Sequence, residues 1–201
     1  MVSTAEMPAP SVGVAAGGLA GLSLALAILR REPRARVVVF EPREAYTDDR
    51  TWCFWKVESH QFDGLETRHW NRWRVVTESG RAMCQAGQYP YARIKSGDVY
   101  RTAEAVLRDA PNADLRAGVR VTECGPRQIV TDSGETFDFD VVFDGRPPQG
   151  HRPEFVQRFV GRRVRTARPA FDPETVDLMD FRLPQHLGVT FSYVLPESAT
   201  E

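Results

Sequence analysis

Apolar and polar residues alternate along this chain in a pattern that predicts short strands and two helices. The strongest signal is an apolar run at 12–16, a glycine-rich turn at 17–21, an apolar stretch to Leu29 and a second apolar run that ends at Glu41. Two neighbouring parallel strands need a crossover helix between them. The stretch 12–41 therefore predicts a strand, a turn, a helix and a second, parallel strand.

Weaker patterns extend this plan. A hairpin is expected at 70–84 around a turn at 78–80, and apolar residues at helical spacing predict a helix from about 97 to 109, with Ser96 as its N-cap. The remaining strands of this part are expected at 119–121, 128–131, 136–139 and 140–143. The last of these is the expected final strand of a dinucleotide-binding fold.

A change of composition at 147–153, to Pro, Gly, Gln, His and Arg, predicts a linker. Beyond it, strands are expected at 155–167, 176–181 and 189–195. The predicted fold class is therefore α/β. One domain is expected over 1–146, with inserted β segments around 51–94, and a second, β-rich and incomplete domain over 147–201.

Composition excludes several classes of protein. The chain has 201 residues, 26 basic and 27 acidic, with a formal charge of −1, which gives no general attraction to nucleic acid. Three widely spaced cysteines favour free thiols, and the spacing of the four histidines predicts no metal site. No cationic region precedes the first apolar run, so no secretory signal is expected, and the longest apolar stretch is too short to cross a bilayer.

The glycine turn carries the first candidate chemistry. Gly17, Gly18 and Gly21 precede a helix whose free backbone N–H groups can hold a pyrophosphate, and Glu41 lies where an acid accepts a bond from a ribose hydroxyl. In the usual G-x-G-x-x-G pattern, however, the first position falls on Ala16. The alternative is a glycine-rich turn before an ordinary buried helix.

Further candidates each have a structural alternative. Asp144 and Gly145 follow a buried strand where open parallel sheets bind ligands, or they form a plain turn. Arg101 reaches a phosphate from the start of its helix, or it is solvated. Trp52, Phe54 and Trp55 form a π-rich wall for an apolar ligand or a cation, or they fill a core. Five arginines form a membrane or phosphate patch, or a solvated strand face: Arg158, Arg162, Arg163, Arg165 and Arg168.

Taken together, these motifs resemble the N-terminal half of the bacterial lycopene β-cyclases, flavoproteins of carotenoid biosynthesis. The most specific segments are the aromatic pentapeptide at 51–55, the Met-Asp-Phe segment at 179–181 and the segment 191–196. The other matching residues are 18–25, 41–42, 69–70, 91–94, 144–146, Gln157, Phe159 and Gly161.

The resemblance implies a Rossmann-like FAD-binding domain of the ββα-type flavoproteins, followed by the beginning of the substrate domain. It implies NADPH as the reductant of FAD, and lycopene as a lipid-soluble substrate whose ψ-ends are cyclised to β-ionone rings without net redox change. It also implies peripheral contact with the inner face of the bacterial membrane. The implied cofactor-binding residues are Gly17, Gly18, Gly21, Glu41, Arg101, Val121, Asp144 and Gly145.

In this family the acid that protonates the substrate is a glutamate a few residues beyond the Tyr-Val-Leu-Pro segment. Glu201 falls before that position. We therefore expect a fragment without the catalytic acid. Two alternatives stay open: a related FAD-dependent reductase or hydroxylase of the geranylgeranyl-reductase type, and a catalytically silent nucleotide-binding remnant. The oligomeric state and the number of rings formed are not predicted.

Overall fold

A computed structural model describes residues 8–148, 150, 155–186 and 188–201. The elements in chain order are β1 Ser11–Ala15, α1 Leu19–Arg31, β2 Arg36–Glu41, β3 Thr51–Trp55, β4 Glu66–Trp70, β5 Arg72–Thr77, β6 Gly80–Gln85, β7 Tyr91–Lys95, α2 Ser96–Asp109, β8 Ala113–Ala117, β9 Val121–Cys124, β10 Gln128–Thr131, β11 Thr136–Asp138, β12 Val141–Asp144, β13 Thr175–Asp180 and β14 Ser192–Val194.

The chain divides into two compact units, one of residues 1–50 and 96–152 and one of residues 51–95 and 153–201. This division differs from the predicted boundary after Arg146, because the segment predicted as an insertion into the nucleotide-binding domain groups with the C-terminal residues. The functional labels given to the two domains stay predictions. The predicted linker at 147–153 includes residues 149 and 151–153, which lie outside the described residues.

The first unit is built on a parallel sheet of order β12-β1-β2-β8. Residues 37–40 of β2 are all buried, which is why this strand is a continuous apolar run rather than an alternating one. Val38 and Phe40 pack with Ile129 of β10 and with Phe139, the residue after β11. By alternation, Val37 and Val39 lie on the opposite face, where α1 packs against β2.

The two helices of this unit were predicted and are present. Helix α1 buries Leu22, Ala25 and Leu26, and α2 buries Val99, Ala103 and Leu107. The expected N-cap at Ser96 is wrong in detail. Its hydroxyl oxygen accepts the backbone N–H of Arg50 at 2.9 Å, whereas Asp48 Oδ1 accepts the backbone N–H of Gly97 at 3.0 Å. A carboxylate from a distant loop therefore binds the first turn of α2.

The strands β9, β10 and β11 form the predicted antiparallel meander, and β12 is the predicted strand of the parallel sheet. Gly13 of β1 allows the meander to approach closely, because a Cβ atom there would lie 2.6 Å from the Phe139 ring and 2.9 Å from Ile129 Cδ1. Strand β8 was not predicted, although it forms the edge of the parallel sheet beside β2.

The second unit contains two sheets, of order β14-β13-β5-β6 and β3-β7-β4. The β5–β6 hairpin was predicted, with Asn71 separating β5 from β4. Trp70 is fully buried and packs with Tyr91 and Val176 in the core of this unit.

Two expected strands of the second unit differ from the structure. The strand expected at 155–167 is wrong, since residues 155–166 adopt no regular secondary structure and Phe155 and Val160 are 85% and 90% exposed. The segment contains both apolar residues and arginines, but it does not pair with a strand of either sheet. The strand expected at 189–195 is shorter, and only Ser192–Val194 pairs with β13.

Candidate functional site

The carboxyl ends of the parallel strands bring most of the predicted cofactor residues together. Ala15, at the end of β1, is in register with Phe40 of β2 and with Asp144 of β12. The turn 16–18, Glu41 and Gly145 therefore leave the sheet at the same edge. Open parallel sheets bind ligands at this edge, where the strand order reverses.

The turn between β1 and α1 contains an unusual backbone angle. Ala16 has φ +97°, a conformation that favours glycine, and its backbone N–H donates to the carbonyl of Phe40 at 3.0 Å. Gly18 then adopts an extended conformation as the N-cap of α1, without a side-chain capping bond. The first backbone N–H groups of α1 are consequently available to an anion.

The three glycines of this turn differ in what surrounds them. A Cβ atom on Gly21 would overlap the carbonyl oxygen of Ala16, so helix and turn are in direct backbone contact there. A Cβ atom on Gly17 would meet Tyr46 Oη and would lie 3.0 Å from Glu41 Oε2. Gly18 has no atom within 4 Å of such a Cβ position. Gly18 thus faces the open space that a phosphate would need.

Glu41 is buried, with 3% of its surface exposed, and Arg43 neutralises its charge. Arg43 donates to Oε1 from Nε at 2.7 Å and from its backbone N–H at 3.0 Å, and to Oε2 from Nη2 at 3.1 Å. A carboxylate oxygen accepts about two bonds. Among the hydrogen bonds of the described residues, Oε2 accepts one, and this oxygen lies on the side of Gly17.

Tyr46 and Tyr100 complete this corner of the first unit. Their rings stack with centroids 4.3 Å apart, and the Arg43 guanidinium lies 4.7 Å and 5.1 Å from the two ring centroids. The Tyr46 hydroxyl donates to the carbonyl of Gly17 at 2.8 Å. The sequence did not predict a role for Arg43 or Tyr46, because both lie in the polar stretch 42–50, which contains no apolar run and no recognisable motif.

Asp144 is held by its neighbour Arg146. The guanidinium donates to both carboxylate oxygens, at 2.9 Å and 2.8 Å, and this pairing lowers the pKa of Asp144 below its usual range. Arg146 also donates to the backbone carbonyl of Val121 at 2.7 Å. Val121 itself belongs to the core of this unit. Gly145 donates its backbone N–H to Ala15 at 2.8 Å.

Arg101 lies apart from this arrangement. Its side chain is 71% exposed and pairs with Asp98 on the first turn of α2. Within the described part of the chain, no hydrogen bond or ion pair joins Arg101 to the glycine turn. Its predicted contact with a phosphate stays a prediction.

The aromatic pentapeptide belongs to the second unit. Trp55 is 45% exposed and contacts Trp73 and Tyr91, with ring centroids 5.8 Å and 5.0 Å away. Trp52 and Phe54 are half-buried. Trp70, in contrast, is part of the core and donates its indole N–H to the carbonyl of Pro196 at 3.3 Å. The tryptophans thus divide into core residues and a partly open aromatic surface.

Beside this surface lies a small polar cluster. The hydroxyls of Tyr91 and Tyr193 are 2.8 Å apart, and Cys53 packs against the same core as these two tyrosines. Burial raises the pKa of the Cys53 thiol, so it is protonated at neutral pH. The cluster therefore offers neutral donors rather than a charged nucleophile.

A second polar cluster contains His60, Asp63 and Glu66, whose donor atoms lie within 4.8 Å of one another. The spacing of the histidines did not predict this grouping. Lys56 lies 2.9 Å from Asp63 Oδ1 and also pairs with Glu66. The ammonium group occupies the position where the carboxylates would hold a cation.

The helices of the described residues are all too short or too polar to span a membrane. The longer of the two, α2, has 14 residues.

Comparisons with known proteins agree with the resemblance. The family described as "Lycopene cyclase protein" matches residues 12–201. A lycopene beta-cyclase from Paracoccus sp. (strain N81106 / MBIC 01143) is 27% identical over 202 residues, which cover 93% of this chain and 48% of that protein. The chain spans about half the length of this curated relative.

Solved structures with a similar fold include monooxygenases. PnpA, a p-nitrophenol 4-monooxygenase from Pseudomonas putida DLL-E4, has a TM-score of 0.54 and 15% identity, over 68% of this chain and 40% of that chain. PqsL from Pseudomonas aeruginosa, described as "a probable FAD-dependent monooxygenase", has a TM-score of 0.53 and 14% identity, over 66% and 41%. The α/β fold is therefore that of a Rossmann-like FAD-binding domain.

Proposed function

The chain belongs to the lycopene cyclase protein family, and on this premise we propose that its first unit binds FAD as part of a lycopene β-cyclase. The proposed reaction of the whole protein is the acid-catalysed cyclisation of the ψ-ends of lycopene to β-ionone rings, an isomerisation in carotenoid biosynthesis. The observation that carries the proposal is the meeting of the glycine turn, Glu41 and Asp144 at one sheet edge of the first unit.

The glycine turn fits the pyrophosphate of FAD. The space above Gly18 is open, and the start of α1 offers backbone N–H groups together with the positive end of the helix dipole. Gly17 and Gly21 are positions where a side chain would collide with its surroundings. The turn is consequently shaped by close contacts while one side of it stays accessible to a ligand.

Glu41 and Asp144 are suited to contact the ribose and the ribityl chain of FAD, respectively. Glu41 Oε2 can accept a ribose hydroxyl beside Gly17, while Arg43 keeps the buried carboxylate paired. Asp144 and Gly145 lie across the end of β1, where the ribityl chain of a flavin would pass. Arg101 is proposed as a further phosphate contact from α2.

Bound FAD would supply, in its reduced form, an electron-rich ring that stabilises the positive charge developing on the cyclising substrate, and we propose NADPH as the reductant. The chain's own contribution is an apolar, aromatic environment. By alternation along β3, Trp52 and Phe54 lie on one face of the strand and Trp55 on the other. The rings on each face can stabilise a cation through their π electrons and can exclude water from it. The neutral Cys53 thiol leaves no competing thiolate beside this surface.

The proposed substrate, lycopene, dissolves in lipid. We therefore propose peripheral contact with the inner face of the bacterial membrane, with substrate entering from the bilayer. The exposed arginines 158, 162, 163, 165 and 168 are compatible with anionic headgroups, although Arg163 and Arg165 already pair with Glu201.

FAD binding is tested with the purified 201-residue chain by titration and quenching of flavin fluorescence. We expect saturable binding of FAD and weaker binding of FMN, which lacks the adenosine that Glu41 would contact. Glu41→Gln should reduce this preference for FAD, while Glu58→Gln, a matched change in the other unit, should not. Equal binding of FAD and FMN by the unmodified chain would contradict the proposed site.

The reaction is tested with lycopene in liposomes, FAD and NADPH under anaerobic conditions. A product of unchanged mass that absorbs at shorter wavelength, because the ring double bonds twist out of the plane of the polyene, supports cyclisation. In a parallel reaction to which oxygen is admitted, a product heavier by one oxygen atom favours a hydroxylase, and under either condition a product with added hydrogen favours a reductase. Turnover by this chain would show that its 201 residues suffice for the reaction.

A further inference from the structure

The phosphate-binding turn contains a strained residue that must be held in place. Ala16 has φ +97°, and no other non-glycine residue of the described chain has a positive φ. Such a conformation costs an L-residue free energy and persists only where the surroundings enforce it. The residue with the positive φ is Ala16 and not the neighbouring Gly17, which could adopt such an angle without strain.

Two hydrogen bonds enforce the conformation from opposite sides. The Ala16 N–H donates to the carbonyl of Phe40 at 3.0 Å, which fixes the peptide before Ala16. The Tyr46 hydroxyl donates to the carbonyl of Gly17 at 2.8 Å, which fixes the peptide after Gly17. The first bond is made by the strand β2, whereas the second comes from a side chain 29 residues away.

Tyr46 is itself held rigidly. Its ring stacks on Tyr100 with an interplanar angle of 20°, and the Arg43 guanidinium lies 4.7 Å from its centroid. Burial, followed by the nearby Glu41 charge, raises the pKa of the Tyr46 hydroxyl, so it remains a donor at neutral pH. The side chain therefore presents one fixed O–H group to the turn.

Gly17 allows this contact. A Cβ atom at this position would meet Tyr46 Oη and would press on Glu41. The glycine is required here by the approach of the tyrosine, and its own φ lies outside the positive region that strains other residues. The shape of residues 16–18 thus depends on an interaction that the glycine pattern alone does not contain.

We propose that Tyr46 is a positioning residue for the phosphate-binding turn, where it compensates for alanine at the first glycine position. The proposal rests on the proposed binding of FAD. Tyr46 acts through the Gly17 peptide, which it orients so that the N–H groups at the start of α1 face the pyrophosphate. Restoring glycine at position 16 removes the strain and with it most of the need for Tyr46.

The test is a double-mutant cycle on the full 201-residue chain with the variants Tyr46→Phe, Ala16→Gly and the pair. Two quantities are measured for each: the Kd for FAD by flavin fluorescence and the Tm of the protein without FAD. Tyr89→Phe removes a hydroxyl from a tyrosine that is 42% exposed in the other unit, and it serves as the matched control.

We expect Tyr46→Phe to raise the Kd for FAD roughly fivefold, as the loss of one hydrogen bond predicts. Its Tm should fall by about 3 °C. Ala16→Gly should raise the Tm by about 3 °C. In the Ala16→Gly background, Tyr46→Phe should change the Kd by less than about twofold. Tyr89→Phe should match the unmodified chain.

Equal effects of Tyr46→Phe in both backgrounds would overturn the proposal, as would a Tyr46→Phe variant that matches Tyr89→Phe. If the unmodified chain does not bind FAD, the proposed function fails. The Tm values of the four proteins still decide whether Tyr46 and Ala16 are coupled, so the two failures are distinguishable.

Discussion

The two units of this protein place their candidate chemistry by different means. In the first unit, the glycine turn and Glu41 lie at the ends of β1 and β2, whose residues are almost all buried, and Asp144 ends the more exposed β12. Backbone pairing of these three strands sets their positions. In the second unit, ion pairs join separate segments: Arg74 of β5 pairs with Asp177 of β13, and Arg93 of β7 pairs with Glu197, which lies beyond β14. Side-chain packing and charge therefore carry more of the organisation there.

This difference implies different tolerance to mutation. A site made of backbone groups depends on the few residues that allow the chain to approach itself, and most other side chains can vary. A surface made of aromatic rings and ion pairs depends on the volume and charge of each member. Substitutions in the first unit should act on geometry, and those in the second on packing.

The largest effect is expected from Trp70→Ala, which tests whether packing organises the second unit. Trp70 is fully buried, so the cavity should lower the free energy of unfolding by roughly 3–5 kcal/mol. Urea unfolding measures the change. Trp55→Ala is the control, since that residue is 45% exposed and should cost less than half as much. Equal costs would remove the distinction between core and surface tryptophans.

Gly21→Ala tests the corresponding dependence of the first unit on close backbone contact. The added methyl group would overlap the carbonyl of Ala16, so the free energy of unfolding should fall by roughly 1–3 kcal/mol. Gly18→Ala adds the same atoms to open space and should cost less than about 1 kcal/mol as an N-cap change. Urea unfolding of both variants gives the comparison. A Gly18→Ala variant that is less stable than Gly21→Ala would contradict the structure of the turn.

The contribution of charge to the second unit is smaller. Arg74 donates to Asp177 across the parallel β5–β13 pair, and the two side chains are 33% and 16% exposed. A double-mutant cycle with Arg74→Ala and Asp177→Ala should give a coupling energy of about 1 kcal/mol or less. Raising the salt concentration should reduce it. A coupling that grows with salt would show that the pair is not electrostatic.

The smallest effect concerns the pH dependence of the first unit. Arg146 lowers the pKa of Asp144 in the folded protein, so the pair stabilises the fold above the unfolded-state pKa of about 4. This stabilisation should be lost as the pH falls through the lowered folded-state value. Because Asp144 is 41% exposed, we expect less than about 0.5 kcal/mol.

Asp144→Asn supplies the control for this prediction. At pH 7 the Tm of the variant should be slightly lower than the Tm of the unmodified chain. This difference in Tm should shrink as the pH is lowered. Thermal unfolding at several pH values between 7 and 3 measures this. A difference that widens toward acid pH would reverse the assigned direction.

The sequence predicted the first unit well where structure is local. The strand, turn, helix and strand over 12–41 are confirmed, because a buried parallel strand is a continuous apolar run and its crossover helix is amphipathic. Strand β8 was missed, since none of its residues is fully buried and its two charged residues, Asp114 and Arg116, interrupt any apolar run. The segment 155–167 combines apolar residues with arginines, as an exposed strand can, yet its sequence cannot reveal whether a partner strand exists.

The candidate site was predicted only in part. Glu41 and Asp144 were found because they follow apolar runs at the end of a strand. Arg43 and Tyr46 were missed, since their contacts depend on how the polar stretch 42–50 folds back over the turn. The pairing of Arg146 with Val121 spans 25 residues and leaves no local pattern. Long-range side-chain contacts therefore separate the predicted site from the observed one.

The register of β1 has a consequence for synthesis of the chain. One edge of β1 pairs with β2, which follows shortly after it, but the other edge pairs with β12, and Ala15 accepts the N–H of Gly145. The ribosome must therefore synthesise about 130 residues beyond Ala15 before β12 can pair with this second edge of β1. Until then the nascent chain exposes an unpaired apolar strand, and a chaperone would find its target there.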